Sequence, residues 1–233
     1  MHRAREQGEC FLRVYTWEHP TLSLGRNQSA RGKYDLARAD ALGIDIVRRP
    51  TGGRAVLHLH EITYSVTAPI DAIGDLRESY SAINRILVQA LARMDVAAEI
   101  ANPAGRTPAL DTLPCFDAAA DGEVVAGGRK LVGSAQVREK GALLQHGSIL
   151  VEDDQDLAAQ LVICPKGVAN KPATLVEQLG RAPGAVELAE AIVAALGAET
   201  GREVRPMCAD AALAYSAAEL QLKYESHDWT WRR

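Results

Sequence analysis

The stretch from Glu123 to Val151, EVVAGGRKLVGSAQVREKGALLQHGSILV, constrains the fold more than any other part of the chain. It is rich in strand formers and is interrupted only at Gly127-Gly128 and at REKG, both signals of tight hairpin turns. Strands joined by such short turns lie side by side and antiparallel. Strand alternation predicts that Lys130, Val132, Ser134 and Gln136 share one face. Lys130 heads its strand just after the glycine pair, beside the small residues Gly133, Ser134 and Ala135. It reads either as a solvated hairpin lysine or as a cation facing room left for a substrate.

The rest of the chain adds strands and helices around this unit. FLRVYTW and TLSLG read as strands separated by a His-Pro turn, YDLARADALG as a short helix stopped at Gly43, and IDIVRRP as a further strand. From Ala55 to Thr67 the alternation continues, with Val56, His58, His60, Ile62, Tyr64 and Val66 predicted on one side of a single strand. GDLRESYSAINRILVQALARMD places Tyr80, Ile83, Leu87 and Leu91 at helical spacing. Residues 102–119 hold three prolines and no periodicity, the mark of a long functional or disordered loop. GAVELAEAIVAALGAE and DAALAYSAAELQLKYES read as amphipathic helices, and MHRAREQGE as the end of a helix closed at Gly8.

With 233 residues the chain has enough length for one full core, so a single domain over 1–233 is expected. A composition of 47% hydrophobic and 24% charged residues is that of a soluble protein, no run of apolar residues is long enough for a membrane span, and no secretory signal opens the chain. A cytoplasmic location is expected. The formal net charge of -4 speaks against nucleic-acid binding. Arg48, Arg49 and Arg54 nevertheless bunch together, as do Arg129, Lys130, Arg138 and Lys140, which allows local positive faces.

The chemistry-bearing residues each admit two readings. Gly52-Gly53 ahead of a strand marks either a structural turn or a backbone that a ligand approaches closely. The segment fits neither a P-loop nor a dinucleotide fingerprint. On one strand face His58 and His60 would suit a metal, with His146 as the remaining candidate ligand, but hydrogen-bonded histidines or a general base fit better, and no metal site is expected. The four cysteines form no C-x-x-C pair. Cys10, Cys164 and Cys208 are expected in strand or helix cores. Cys115 lies in the Pro-rich loop, flanked by Pro114 and Asp117, and is either an incidental thiol or a nucleophile whose thiolate needs a cation such as Lys130.

The segments RRPTGGRAVLH, PCFD, GRKLVGSAQVREKGALLQHGSIL and KYESHDWTW, in this order, resemble the lipoate-protein ligase A superfamily, over nearly the whole chain from about Leu12 onward. The resemblance implies an α/β (α+β) fold: a mixed, largely antiparallel sheet with flanking helices, biotin/lipoate protein ligase-like and related to class II synthetases. It implies a full helix before the first strand, of which this chain carries the last turns. It also assigns Arg48, Arg49, Gly52, Gly53 and His58 to the acyl site, Lys130 to the acyl carbonyl within a segment that includes Gly133 and Ser134, and Cys115 to the acyl-accepting thiol.

The activity implied by that likeness is acyl transfer. Cys115 would take octanoyl from octanoyl-acyl carrier protein as a thioester and pass it to a lysine of a lipoyl domain, on glycine-cleavage H protein or on the acyltransferase subunits of 2-oxoacid dehydrogenases. Exchange of one thioester for another needs no ATP and no other cofactor. His58 and His146 are the candidates for deprotonating the acceptor amine. Basic side chains at Arg48, Arg49 and Arg54 would steer acidic carriers, or else form buried salt bridges. The alternatives are an ATP-dependent lipoate ligase, an amidotransferase between lipoyl domains, and a non-catalytic binder, against which the pairing of Cys115 with Lys130 speaks. A monomer is expected.

Overall fold

The computed structural model describes residues 1–102, 116, 120–164 and 170–233. In chain order the elements are α1 (His2–Gln7), β1 (Phe11–Tyr15), β2 (Thr21–Leu24), α2 (Leu36–Ala41), β3 (Asp45–Arg48), β4 (Val56–His58), β5 (Glu61–Pro69) and α3 (Leu76–Arg93). Further along the chain come β6 (Ala98–Ile100), β7 (Val124–Ala126), β8 (Arg129–Glu139), β9 (Ala142–Leu150), α4 (Gln155–Gln160), α5 (Leu175–Leu179), α6 (Ala185–Thr200), α7 (Ala211–Glu225) and α8 (His227–Thr230).

Among the described residues the strands form two sheets. The larger has the order β1-β5-β9-β8-β7-β6, with every neighbouring pair antiparallel. The smaller has the order β3-β2-β4, with β2 parallel to β3 and antiparallel to β4. The hairpins expected between β7, β8 and β9 are present. Gly127 and Gly128 turn the first with φ of 55° and 71°, and Lys140 and Gly141 turn the second with φ of 50° and 81°. Two successive positive φ values match the twist of the flanking strands.

Helices α3 and α6 cover one face of the large sheet. Ile62, Tyr64, Val132 and Ile149 pack there against Ile83, Leu87, Leu91, Leu188 and Ile192. Helix α3 begins at a capping box, in which Asp75 accepts from the Arg77 and Glu78 amides while the Glu78 side chain accepts from the Asp75 amide. The small sheet lies over the other face, with its own core of Leu22, Leu24, Leu57, Ile44 and Leu161. Val56 of β4, Leu150 of β9 and Phe116 form a third cluster where the two sheets meet.

The structure corrects several expectations. The run from Ala55 to Thr67 is not one strand: β4 and β5 belong to different sheets, and the chain crosses between them at Leu59 and His60. The His60 amide donates to Asp154 and its carbonyl accepts from Val151 and Glu152 amides, so His60 sits exposed at the crossing while His58 is buried. Lys130 does not share a face with Val132, Ser134 and Gln136. In the ladder Val124 pairs with Val132 and Val125 with Lys130, so Leu131 is an extra residue, a β-bulge. Leu131 and Val132 both enter the apolar core as a result. Ser134 and Gln136 bond Tyr64 and Ser79 on the α3 side. The Lys130 ammonium instead stands 5.4 Å from the Phe116 ring centroid, and that ring packs on Gly133 from the opposite side.

Cys10, Cys164 and Cys208 are exposed rather than in cores, because each falls in a connection between elements. Helix α7 buries no residue, so its apolar side chains Tyr215 and Leu222 remain on the surface. Arg129, Lys130, Arg138 and Lys140 do not form one basic face: Arg129 bonds Glu177, Arg138 the Gly74 carbonyl, and Lys130 is buried.

Candidate active site

The space between the two sheets is a cleft of about 370 Å³ counted out to its open mouth, lined by Ser23, Arg49, Gly53, His58, Gly133 and His146 among others. Its wall from the large sheet is built by register. Thr63 stands opposite Ser148, Ser65 opposite His146, and Gly133 opposite Ser148 on the far side. Side chains of β5 and β9 that do not enter the α3 core therefore face the small sheet.

His58 ends β4 and stands at the centre of a buried polar network. Its Nδ1 lies 3.0 Å from Glu61 Oε1, and its Nε2 2.7 Å from Ser23 Oγ. Glu61 also accepts from Thr63 Oγ1 at 2.5 Å and from Ser148 Oγ. Trp17 donates to Thr63 at 2.8 Å and stacks on the His58 ring at a centroid distance of 4.1 Å. Because Glu61 accepts, Nδ1 carries the imidazole proton, and Nε2 is left with a lone pair toward the Ser23 hydroxyl.

Arg49 ties the glycine loop to β2. Its Nη1 donates to the Ser23 carbonyl at 2.7 Å and to Ser23 Oγ at 3.2 Å, and its Nη2 to the Gly52 and Arg54 carbonyls at 2.8 and 2.6 Å. Gly53 has φ of 90°, and a Cβ there would come within 2.9 Å of Arg49 Nη2. A Cβ on Gly25 would overlap the Gly53 carbonyl, so the loop lies flat against the turn after β2. Gly52 and Gly53 thus serve a turn and, at Gly53, a cleft wall.

Arg48 points elsewhere. It is 1% exposed and donates to the carbonyls of Thr230, Gly25 and Gln28 at 2.7, 2.6 and 2.8 Å. It does not line the cleft. Arg49 and Arg54 are buried as well, so the arginine cluster is tied into the fold rather than spread as a surface that steers acidic carriers. Backbone carbonyls take up most of the donors of Arg48 and Arg49.

His146 bonds Thr51 Oγ1 through Nε2 at 2.6 Å. Burial, aided by Arg49 and His58, lowers its pKa from 6.5 to about 3. Its folded pKa lies below its unfolded one, so the stability tied to the neutral ring is present above pH 6.5 and is lost as pH falls from there toward 3. Between about pH 7 and pH 5 this group should remove about 2 kcal/mol of unfolding free energy. Urea titrations at the two pH values check this, and a His146→Gln variant should lack that part of the difference.

Lys130 donates to Glu123 Oε1 at 2.8 Å, both side chains being largely buried. Glu123 Oε2 accepts from the Ala120 amide at 2.8 Å, which fastens the chain after Phe116 to the same carboxyl group. The bulge at Leu131 brings the ammonium to the Phe116 side. Cys115 lies outside the described residues. No sequence motif marks Glu61, Glu123, Ser23 or Trp17, which only the fold brings to the site, and Thr51 falls inside the RRPTGG segment without being singled out by it. The one local signal is Glu61 standing three residues after His58. Among the described residues no three His, Cys, Asp or Glu side chains group as a metal site.

The chain belongs to the lipoyl protein ligase A/B catalytic domain family, whose profile matches residues 1–197. It is 37% identical to octanoyltransferase LipM of Kyrpidia tusciae over 95% of this chain and 87% of that one, and 39% identical to LipM of Moorella thermoacetica over 95% and 86%. Among solved structures it is similar to protein Ta0514 from T. acidophilum with bound lipoic acid, at a TM-score of 0.80 and 23% identity over 97% of this chain and 86% of that one. A lipoate-protein ligase A bound with ATP superposes at a TM-score of 0.77 and 23% identity, over 96% and 86%. The fold is the lipoate-ligase fold, as the motifs implied.

Proposed function

We propose that the chain is an octanoyltransferase of lipoate biosynthesis, acting as one catalytic domain over residues 1–233. Octanoyl-acyl carrier protein is the donor, Cys115 the acyl-accepting thiol, and a lipoyl-domain lysine the acceptor, on proteins such as the glycine-cleavage H protein or the acyltransferase subunits of 2-oxoacid dehydrogenases. The identities to octanoyltransferases over most of both chains support this activity. The observation that carries the site assignment is the bulge that sets Lys130 beside Phe116, the residue directly after Cys115. An ammonium near that position favours a thiolate and an oxyanion alike.

In the first step the Cys115 thiolate attacks the donor thioester carbonyl and the carrier's thiol leaves. In the second the acceptor amine displaces Cys115 and forms an amide. The first exchange is nearly isoenergetic and the second is downhill, so the reaction runs without ATP or another cofactor. Among the described residues no helix is long and apolar enough to cross a membrane. The reading places the enzyme in the cytoplasm as a monomer.

Intact-protein mass after mixing with octanoyl-acyl carrier protein, without ATP, tests this. Wild type should gain one octanoyl group that hydroxylamine removes, and Cys115→Ala should gain none. Transfer only from free octanoate and ATP would identify a ligase instead. Transfer only from an octanoyl-loaded lipoyl domain would identify an amidotransferase.

A further inference from the structure

We propose that Glu61, His58 and Ser23 form a proton relay that deprotonates the acceptor lysine amine as it attacks the acyl-enzyme. This rests on the transferase reading and adds to it the group that removes the proton. The three side chains are almost fully buried, and Ser23 and His58 line the cleft. They form one continuous chain of hydrogen bonds from carboxyl group to imidazole to hydroxyl, at 3.0 and 2.7 Å.

Geometry separates His58 from the other histidine of the cleft. Three donors hold Glu61, from Thr63, Ser148 and His58, so its position is fixed on every side. Glu61 in turn fixes the tautomer of His58, and Trp17 fixes its ring plane. The lone pair on Nε2 is therefore aimed at one atom, the Ser23 hydroxyl oxygen, at a distance suited to proton transfer. Arg49 Nη1 approaches the same oxygen at 3.2 Å and keeps the hydroxyl in place. His146, by contrast, spends Nε2 on Thr51, and its very low basicity suits it to neither role. Among the described residues the charged or titratable groups around His58 are Glu61, bonded to its Nδ1, Arg49, bonded to Ser23, and His146.

The neutral lysine amine attacks the thioester carbonyl carbon and a C–N bond forms. One N–H proton passes to Ser23 Oγ while the Ser23 hydroxyl proton passes to His58 Nε2. The C–S bond breaks, Cys115 leaves as a thiolate, and the amide is released. His58 then carries the proton, facing Glu61, and returns it to the thiolate or to solvent. Nothing is oxidised or reduced.

The test separates the two half-reactions in wild type, Ser23→Ala, His58→Gln and Glu61→Gln. Each protein is loaded from octanoyl-acyl carrier protein, and the thioester is discharged either by a lipoyl domain or by hydroxylamine, whose free base is abundant at neutral pH. The relay predicts that the Ser23→Ala and His58→Gln acyl-enzymes still form and are still discharged by hydroxylamine, so that the two discharges are compared within each variant. Their discharge by the lipoyl-domain lysine should slow by about 100-fold or more. Glu61 acts through His58, so Glu61→Gln should show the same split between nucleophiles to a smaller degree. A purely structural role would depress both discharges together, and that result would overturn the relay. Lysine discharge at the wild-type rate in Ser23→Ala would overturn it equally, in a variant small enough to keep the fold. Absence of any thioester in wild type would overturn the transferase reading, and the relay with it.

Discussion

Lys130→Met is expected to lose both activity and stability, and the two losses should separate when Glu123 is changed as well. The ion pair is buried, with side-chain exposures of 3% and 10%. Removing the ammonium leaves the Glu123 carboxyl group buried without its cation, which costs about 3–5 kcal/mol when one member of a buried pair is deleted. Activity should fall by about 100- to 1,000-fold, the usual effect of removing one group that stabilises an oxyanion. Lys130→Met combined with Glu123→Gln removes the stranded charge while keeping an acceptor for the Ala120 amide. That double variant should regain most of the stability in urea and remain as inactive as the single one. If activity returned along with stability, Lys130 would be a structural lysine and its role in transfer would be refuted.

Arg48→Met should be the most destabilising change at the arginine-rich segment. Three carbonyls, from Gly25, Gln28 and Thr230, direct themselves at one guanidinium, and Trp229 Nε1 donates to the Arg48 carbonyl at 2.7 Å. The side chain thus joins the turn after β2 to helix α8 across 182 residues of sequence. Methionine fills the volume but strands buried acceptors at about 1–3 kcal/mol each, so a loss of about 4 kcal/mol is expected from urea unfolding. Arg48→Lys should recover little, because a single ammonium does not span the fork that the planar guanidinium fills. Since the Gly25 turn supports the Gly53 loop, acyl loading should fall too, but only in proportion to the unfolded fraction. A stable Arg48→Lys protein would show that the charge alone, rather than the fork, holds the C-terminal segment.

Much of this architecture is visible in local patterns. Gly127-Gly128 and Lys140-Gly141 announce hairpins because positive φ is needed there, and Tyr80, Ile83, Leu87 and Leu91 announce α3 by their helical spacing. The same local logic fails where two solutions share a pattern. Alternation from Ala55 onward is equally compatible with one strand or with two strands in different sheets, and only the crossing at His60 decides. Alternation along β8 also misplaces Lys130, because a bulge at Leu131 changes the face without leaving a mark such as glycine or proline. Exposed Cys10, Cys164 and Cys208, and α7 with no buried residue, fail for a related reason: apolar character says what a side chain prefers, not what is available to cover it.

The hairpin unit, the long helix, the family and the candidacy of Cys115 and Lys130 are all legible in the chain alone, since each depends on near neighbours or on motif order. Which of the motif residues meet is settled only on folding. Folding separates Arg48 from Arg49 and His58 from His60, and gives Lys130 and His58 their partners Glu123, Glu61 and Ser23. Those pairings depend on sheet register and on a single inserted residue, and register is set by the burial of whole faces at once, which no short stretch of sequence encodes.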